Sequence, residues 1–523
     1  MNRFVGAIFF SYLSLISISS HAEKAHTEIN AAQGVYQQHC ASCHGISRLG
    51  GMGPALLPEN LKRLRKGKAL EVIKSGRAAT QMPAFGEIIA PEQIALLAKY
   101  IYTPLPSIPH WGMSEIEKSH LIHYKTGSLG NKPVFKADML NLFIVVELGD
   151  HHATLLDGDK FEAIHRFKTR FALHGGPKYS PDGRYVYFAS RDGWISKFDI
   201  YNLKMVAEIR AGINTRNLAV SGDGRTVMVG NYLPHTLVVL DAENLKPIEV
   251  IPVKDKTGKT SRVSAVYAAA PRNSFIAALK DIPEVWEVYY NDKHEPVYNG
   301  LVHDYRQAEG IEDKGAFPIR RIPLDDYLDD FQFDQSYTHL MGAARNAKNG
   351  QVINLDIRRK VADLELTGLP HLGSGITWLY KGHPVMATPN LKKAEISIID
   401  MTTWKTIKRI KTLGPGFFMR SHENSPYAWA DVFFGPNKEA VHVIDKQSLE
   451  IIKTLRPSPG KNAAHVEFDR YGKHALLSVW DIDGELIVYN ADTLDEIKRL
   501  PMKKPSGKYN VFNKINRSAG TSH

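Results

Sequence analysis

Beyond about residue 130 the chain is a succession of short apolar runs broken by polar turns, with no long 3.6-residue periodicity. Tyr185-Val186-Tyr187-Phe188 and Leu237-Val238-Val239-Leu240 are typical runs, rich in β-branched and aromatic residues and too short for helices. One unit recurs: an apolar strand, an Asp, a short polar turn and a second strand. It is marked by Leu156-Asp157, Phe198-Asp199, Leu240-Asp241, Leu355-Asp356, Ile399-Asp400, Ile444-Asp445 and, with Asn for Asp, Tyr489-Asn490. Successive marks lie 42, 42, 115, 44, 45 and 45 residues apart, and Val288-Tyr289-Tyr290-Asn291 supplies an eighth copy within the wide gap. Tight turns such as Ser180-Pro181-Asp182-Gly183-Arg184, Ser221-Gly222-Asp223-Gly224-Arg225 and Asp469-Arg470-Tyr471-Gly472-Lys473 precede alternating strands. Repeats of 40–45 residues with several strands each predict β-propeller blades, and eight copies predict an eight-bladed propeller over 131–515. The polar stretch Gly300–Pro323 falls in the wide gap and is expected as an exposed loop insertion.

The first hundred residues follow a different pattern. Ala31–Cys40, Leu61–Ser75 and Pro91–Tyr102 have helical spacing, so an all-α domain is expected over 23–103. Prolines at 104, 106 and 109 then favour extended backbone, which predicts a linker over 104–130. A tail is expected over 516–523. Before all of these, Phe4–Ile18 is an apolar run interrupted by Ser11, Ser14 and Ser17, behind the single charge of Arg3 and ahead of Ser20-His21-Ala22. This pattern predicts a secretory signal peptide over 1–22, cleaved after Ala22. The competing reading, a membrane anchor, requires a longer and less serine-rich run. The mature protein is therefore expected in the periplasm with no membrane span.

Composition changes this picture little. Of 523 residues, 43% are hydrophobic and 23% charged, which excludes a disordered chain or a polytopic membrane protein. The formal charge of +11 suits an acidic partner or a cofactor with several carboxylates. The excess is spread along the chain, so no nucleic-acid footprint is read.

The two cysteines of the chain stand together, in Cys40-Ala41-Ser42-Cys43-His44. This is the C-x-x-C-H arrangement of c-type haem attachment, in which each thiol adds to a vinyl group and the adjacent imidazole ligates iron. A redox dithiol or half a zinc site would not need His44, and zinc would want two more ligands nearby. Met82, in Gln81-Met82-Pro83-Ala84-Phe85, is the favoured sixth ligand, and Met52 is the weaker candidate. Residues 23–103 thus resemble a small class I cytochrome c carrying one covalent haem c.

A cytochrome c domain followed by an eight-bladed propeller resembles the cytochrome cd1 family, whose propeller holds haem d1. Phe171-Ala172-Leu173-His174, with Ser180-Pro181-Asp182-Gly183-Arg184 and Ser190-Arg191-Asp192, is similar to the family's proximal segment. The resemblance makes His174 the proximal ligand of the d1 iron. It also assigns Arg191, Arg216 and Arg345 to the d1 carboxylates, which guanidinium forks suit. Pro370-His371-Leu372-Gly373-Ser374-Gly375 matches one of two distal histidine motifs of the family's nitrite reductases. Where the other histidine belongs the alignment places Asp329, and this departure disfavours nitrite reduction, because one carboxylate replaces a two-histidine acid site. The segments Asn141–His152, Ala172–Tyr232 and Lys503–Val511 resemble instead the branch of the family that performs the last step of haem d1 synthesis.

That resemblance implies a dehydrogenase converting the propionate arm of dihydro-haem d1 to an acrylate. The reaction needs a proton acceptor and a sink for two electrons, which haem c would relay singly to a soluble periplasmic acceptor. It implies His371, His465 and Tyr509 as the distal constellation, with either His371 or His465 taking the proton and Tyr509 orienting the arm; His422 is held in reserve. The product would pass to a cytochrome cd1 nitrite reductase. A carrier of haem d1 without catalysis is the non-enzymatic alternative.

Overall fold

The computed structural model describes residues 27–517 and 519, apart from 52, 63, 77–81, 299–311, 345–348 and 367. The expected signal peptide, Met52 and Arg345 lie outside the described residues. The chain divides into two compact units, 1–109 and 110–523.

The first unit is helical. A helix over 27–39 leads into Ala41–His44, and Pro58–Leu61, Lys66–Ser75 and Pro91–Ile101 follow. Their apolar faces bury Tyr36, Leu61, Ala69, Ile73, Phe85, Ile94, Leu97 and Ile101 in one core. Proline stands at the first position of both Pro58–Leu61 and Pro91–Ile101, where its missing N–H costs nothing. The single helix expected over 61–75 is two, with Arg65 extended between them (φ −70°, ψ 146°). Lys62 would stack on Arg65 and Lys66 at helical spacing, and that like-charge repulsion disfavours a continuous helix.

The second unit carries eight antiparallel sheets of four strands or more, in chain order around a ring. The innermost strands are Lys178–Tyr179, Asn214–Val220, Val263–Ala269, Asp330–Phe333, Ile376–Tyr380, Met419–Ser421 and Ala463–Phe468 in blades 2 to 8. Blade 1 is composite: its inner strand is Pro505–Asn510, from the end of the chain, paired antiparallel with Leu142–Glu147. Tyr509 there lies opposite Ile144 and Lys508 opposite Val145. Second and third strands are mostly buried, and Leu142–Glu147 and Ser274–Leu279 wholly so, because both of their faces pack against neighbouring blades.

The recurrent Asp has a clear physical role. It ends the third strand, and its carboxylate accepts backbone N–H groups from the turn to the fourth. Asp241 Oδ1 accepts from Glu243 (2.7 Å) and Asn244 (3.1 Å), and Asp400 Oδ1 from Thr402 (2.7 Å) and Thr403 (2.8 Å). In blade 5 this residue is Asn354 rather than Asp356, which instead pairs with Arg272. Four residues after the acceptor, Phe161, Leu203, Leu245, Arg358, Trp404, Leu449 and Leu494 all have φ between 54° and 64°. L-residues avoid that conformation. Burial of Phe161, Leu245, Leu449 and Leu494 offsets the strain.

Two expectations need correction. The stretch 104–130 is a linker only in part. Met113–Lys118 is a helix, Leu121–Ile122 adds an edge strand to blade 2, Ile116 is fully buried, and Trp111 Nε1 donates to Arg210 O (2.9 Å). The stretch 300–323 is not wholly a loop either, since Ile319–Pro323 is the fourth strand of blade 4.

Asp445 accepts from Gln447 (3.0 Å) and Ser448 (2.6 Å), and these N–H groups lower its pKa. Replacing it by Ala should destabilise the fold by about 1–2 kcal/mol at neutral pH, read as a lower denaturant midpoint. Because the folded-state pKa is depressed, the difference from wild type should shrink as the pH falls through the acid range.

Candidate functional site

In the first unit, Cys40 and Cys43 are free thiols, both half-buried. Burial raises the Cys40 pKa to about 11. His44 is buried, and its Nδ1 lies 2.8 Å from Pro54 O. That carbonyl holds the proton on Nδ1 and leaves Nε2 as the lone-pair nitrogen, the state a metal ligand requires. Burial also lowers the His44 pKa, so the ring is neutral. Gly53 is close-packed on the ring: an added Cβ would stand 2.7 Å from His44 Cε1. Met82 and Cys40 both pack against the same apolar core. The residues present therefore fit a covalently bound haem c.

In the second unit the eight inner strands converge on an axis, and polar side chains occupy it. Blade 2 presents Lys178, preceded by His174; blade 3 presents Arg216 and blade 4 Tyr267. Blade 5 presents Asp330, blade 7 Arg420, blade 8 His465, and the closing strand of blade 1 Tyr509, while its neighbour Lys508 is buried against blade 8 with Nζ donating to Ser478 Oγ (2.8 Å). His371 lies on the segment leading into blade 6.

His174 Nδ1 lies 2.7 Å from Arg216 O, which again leaves Nε2 for a ligand. The Arg216 guanidinium reaches that nitrogen from Nη1 (3.0 Å) and donates through Nε to Ser264 O (2.7 Å). Burial opposes the Arg216 charge, but Tyr232, Tyr267 and Asp330 keep its pKa above the ordinary value. Arg191 is half-buried on a turn locked to the His174 segment, its N–H donating to Ala172 O (3.1 Å).

Across the channel, His371 repeats the same pattern: Nδ1 lies 2.7 Å from Phe417 O, and Nε2 lies 3.6 Å from Asp330 Oδ2. Asp330 also accepts from Tyr267 (3.0 Å) and from the Gly373 N–H (2.9 Å). Asp329, aligned with the missing histidine, turns away and pairs with Lys280; Asp330 is the carboxylate beside His371.

His465 is held differently. It is 1% exposed, sits at a β-bulge with φ 55°, and its N–H donates to Asp431 Oδ2 (3.2 Å). Its Nδ1 is buried with no hydrogen-bond partner. The ring makes edge contacts with Phe418 (4.7 Å between centroids) and Tyr509 (5.2 Å). Phe417, Phe418, Phe433 and Trp480 form an aromatic wall around the two distal histidines. His422 stands apart, in the turn after the inner strand of blade 7, with Nδ1 accepting the Asn424 N–H and Gly472 packed on its ring.

The electrostatics are those of a site short of anions. Burial, with Lys514 and Arg420 nearby, lowers the Lys178 pKa to about 7. Burial likewise lowers Lys514 to about 8 and lowers Arg420, whose Nε has no hydrogen-bond partner. Burial followed by Lys508, Arg420 and Lys514 pushes His465 well down, and burial raises Tyr509 to about 12. A ligand with several carboxylates would supply the missing charge.

Sequence reasoning placed His174, Arg191, Arg216, His371, His465 and Tyr509, and the structure brings them to one channel or its rim. It missed Lys178, Tyr267, Asp330, Arg420, Lys508 and Lys514. A usable signal existed: a lone charge inside an otherwise blade-forming strand, as in Met419-Arg420-Ser421 and Gly507-Lys508-Tyr509.

Comparison with known proteins agrees with this geometry. Residues 137–514 match the family model described as the Cytochrome D1 heme domain, and residues 27–101 match Cytochrome C oxidase, cbb3-type, subunit III. The class is thus a helical cytochrome c domain followed by a d1-type eight-bladed propeller. The chain is 55% identical over 491 residues to the dihydro-heme d1 dehydrogenase of Pseudomonas aeruginosa, covering 94% of this chain and 95% of that one. A solved structure of dihydro-heme d1 dehydrogenase NirN in complex with DHE matches with a TM-score of 0.87 at 54% identity, over 93% of this chain and 100% of that one. The nitrite reductase of Stutzerimonas stutzeri is 25% identical over 546 residues, 94% of each chain. The chain belongs to the dihydro-heme d1 dehydrogenase family, a family of oxidoreductases. Among the described residues no helix is long and apolar enough to cross a membrane.

A buried lysine with a lowered pKa penalises the folded state while charged, so ligand-free stability should rise as pH climbs from 7 towards the unfolded lysine value. Lys178→Met should raise the melting temperature of ligand-free protein below pH 7 and flatten that pH dependence. The check is thermal melting of both proteins from pH 6 to 10.

Proposed function

We propose that this protein oxidises dihydro-haem d1 to haem d1 in the periplasm, after removal of a signal peptide over 1–22, as the last step of haem d1 synthesis for denitrification. Cys40, Cys43, His44 and Met82 would hold one covalent haem c, which would supply one-electron transfer to a soluble acceptor. In the reaction a propionate arm, –CH2–CH2–COO⁻, becomes an acrylate, –CH=CH–COO⁻, with release of two protons and two electrons.

The observation that carries this reading is the contrast among the histidines. His174 and His371 have Nδ1 fixed by a carbonyl, as His44 does, which makes Nε2 the lone-pair nitrogen and is the pattern of iron ligands; in the free protein Arg216 Nη1 stands 3.0 Å from His174 Nε2 and Asp330 Oδ2 stands 3.6 Å from His371 Nε2. His465 has an unpartnered Nδ1 and stands beside Tyr509. We assign His174 to the proximal side of the d1 iron, His371 to its distal side, and the proton acceptor's role to His465, with Tyr509 orienting the arm. In the free protein burial and the cations Lys508, Arg420 and Lys514 keep His465 neutral. The substrate's carboxylates offset those cations on binding, so the base gains basicity when it is needed. Arg191, Arg216 and Arg345 bind carboxylates, as does Lys178.

Nitrite reduction is disfavoured because the carboxylate of Asp330, not a second imidazole, stands beside His371. A cytochrome cd1 nitrite reductase is the proposed recipient of the product.

The test is anaerobic incubation of haem-c-loaded protein with dihydro-haem d1 and an electron acceptor, followed by mass spectrometry and absorption. Loss of two mass units with transient reduction of haem c is expected. His465→Asn and Tyr509→Phe should each bind the pigment, with His465→Asn lowering kcat by about 10²–10⁴-fold. Pigment returned unchanged by the wild type would mean a carrier, and rapid nitrite consumption once haem d1 is added would mean a reductase.

A further inference from the structure

The chain does not end at the strand that closes the ring. Val511–Ile515 is a short helix, with the Asn510 side chain accepting the Asn513 N–H. Val511 joins the core between blades 1 and 2, and Asn513 Nδ2 donates to Phe468 O of blade 8 (2.9 Å). The Ile515 side chain lies against the Gly183 turn of blade 2. Two residues later the Arg517 guanidinium stacks on Tyr337 of blade 5, 5.3 Å from the ring centroid. Blade 5 faces blade 1 across an eight-membered ring. Two residues of chain reach only about 7 Å, too short a path to follow the rim. The segment therefore crosses the end of the channel. It does so where the inner strands finish, whereas His174 and His371 precede theirs.

This crossing carries Lys514 inward. Its Nζ lies 3.5 Å from Glu467 Oε2 and 5.8 Å from the Tyr509 ring centroid. Glu467 is fully buried and accepts the Phe468 N–H (3.2 Å) as well. We propose that residues 511–517 form a plug sealing one mouth of the channel, and that Lys514, on its inner face, is a positioning residue that sets the protonation of the His465–Tyr509 pair. This rests on the dehydrogenase reading for its functional part and on the fold alone for the plug. Tetrapyrrole then enters and leaves by the mouth that bears His174 and His371.

The groups that face His465 and Tyr509 are Lys508 on the closing strand, Arg420 and Asp431 of blade 7, Glu467 of blade 8, and Lys514. Of these Lys514 alone comes from the plug. Removing its charge takes a cation from beside His465, so the histidine pKa rises.

The experiment is the pH profile of kcat for dihydro-haem d1 oxidation by holoprotein. Lys514→Met should move the ascending limb to higher pH by about one unit, and Lys514→Arg should restore it. An unchanged limb in an active Lys514→Met protein would overturn the positioning role, whereas an inactive wild type would overturn the dehydrogenase reading instead. The plug has its own test, which needs no variant. A water-soluble amine-acylating reagent applied to native wild-type protein should modify Lys503 and Lys504 and spare Lys514, read by peptide mass spectrometry. Acylation of Lys514 at the rate of Lys504 would overturn the seal.

Discussion

The hydrogen bonding of Pro505–Asn510 to Leu142–Glu147 is the constraint on which the rest depends. Seven blades are each a local hairpin series, but the eighth joins strands from the two ends of the unit. Until that pairing forms, the sheets on either side each leave one face exposed. Tyr179 reinforces the joint by donating its hydroxyl proton to Tyr509 O (2.7 Å), and Arg470 Nη1 donates to both carboxylate oxygens of Asp138 (2.7 and 3.0 Å).

Closing a ring of eight brings eight inner strands to one axis, which sets the chemistry of the site. Charges placed there are expensive, and the lowered pKa values of Lys178, Lys514 and His465 record that cost. The neighbouring acids offset it only in part: Glu467 pairs with Lys514, Asp330 is shared between Tyr267, Gly373 and His371, and Asp431 holds backbone N–H groups. The channel thus holds buried cationic groups whose cost an anionic occupant would offset. The three carbonyl-fixed histidines follow the same economy of design, since a backbone oxygen selects the tautomer without adding another charge.

Much of this was legible in the sequence. The spacing of Asp157, Asp199 and Asp241 gave blade number, because an Asx turn must recur wherever the third strand turns into the fourth. Cys40, Cys43 and His44 announced themselves by spacing alone. The register slipped where the turn acceptor was Asn354 rather than Asp356, since Leu355-Asp356 imitates the motif two residues late. Asp330 was missed in favour of Asp329 for a similar reason: adjacent residues in a strand point to opposite faces, and sequence does not say which face is the channel. Lys514 was invisible because its environment is made by blades distant in the chain, whereas Lys508 stood out as a lone charge inside a blade-forming strand.

The composite blade has one more consequence. Lys508 and Tyr509 ride on the strand that arrives last in the chain, so completion of the fold and completion of the pocket are a single event. A chain stalled or clipped before residue 505 would be an open ring lacking Lys508 and Tyr509. The architecture thereby acts as its own inspection step: a molecule whose ring is closed has, by that fact, been made through residue 510.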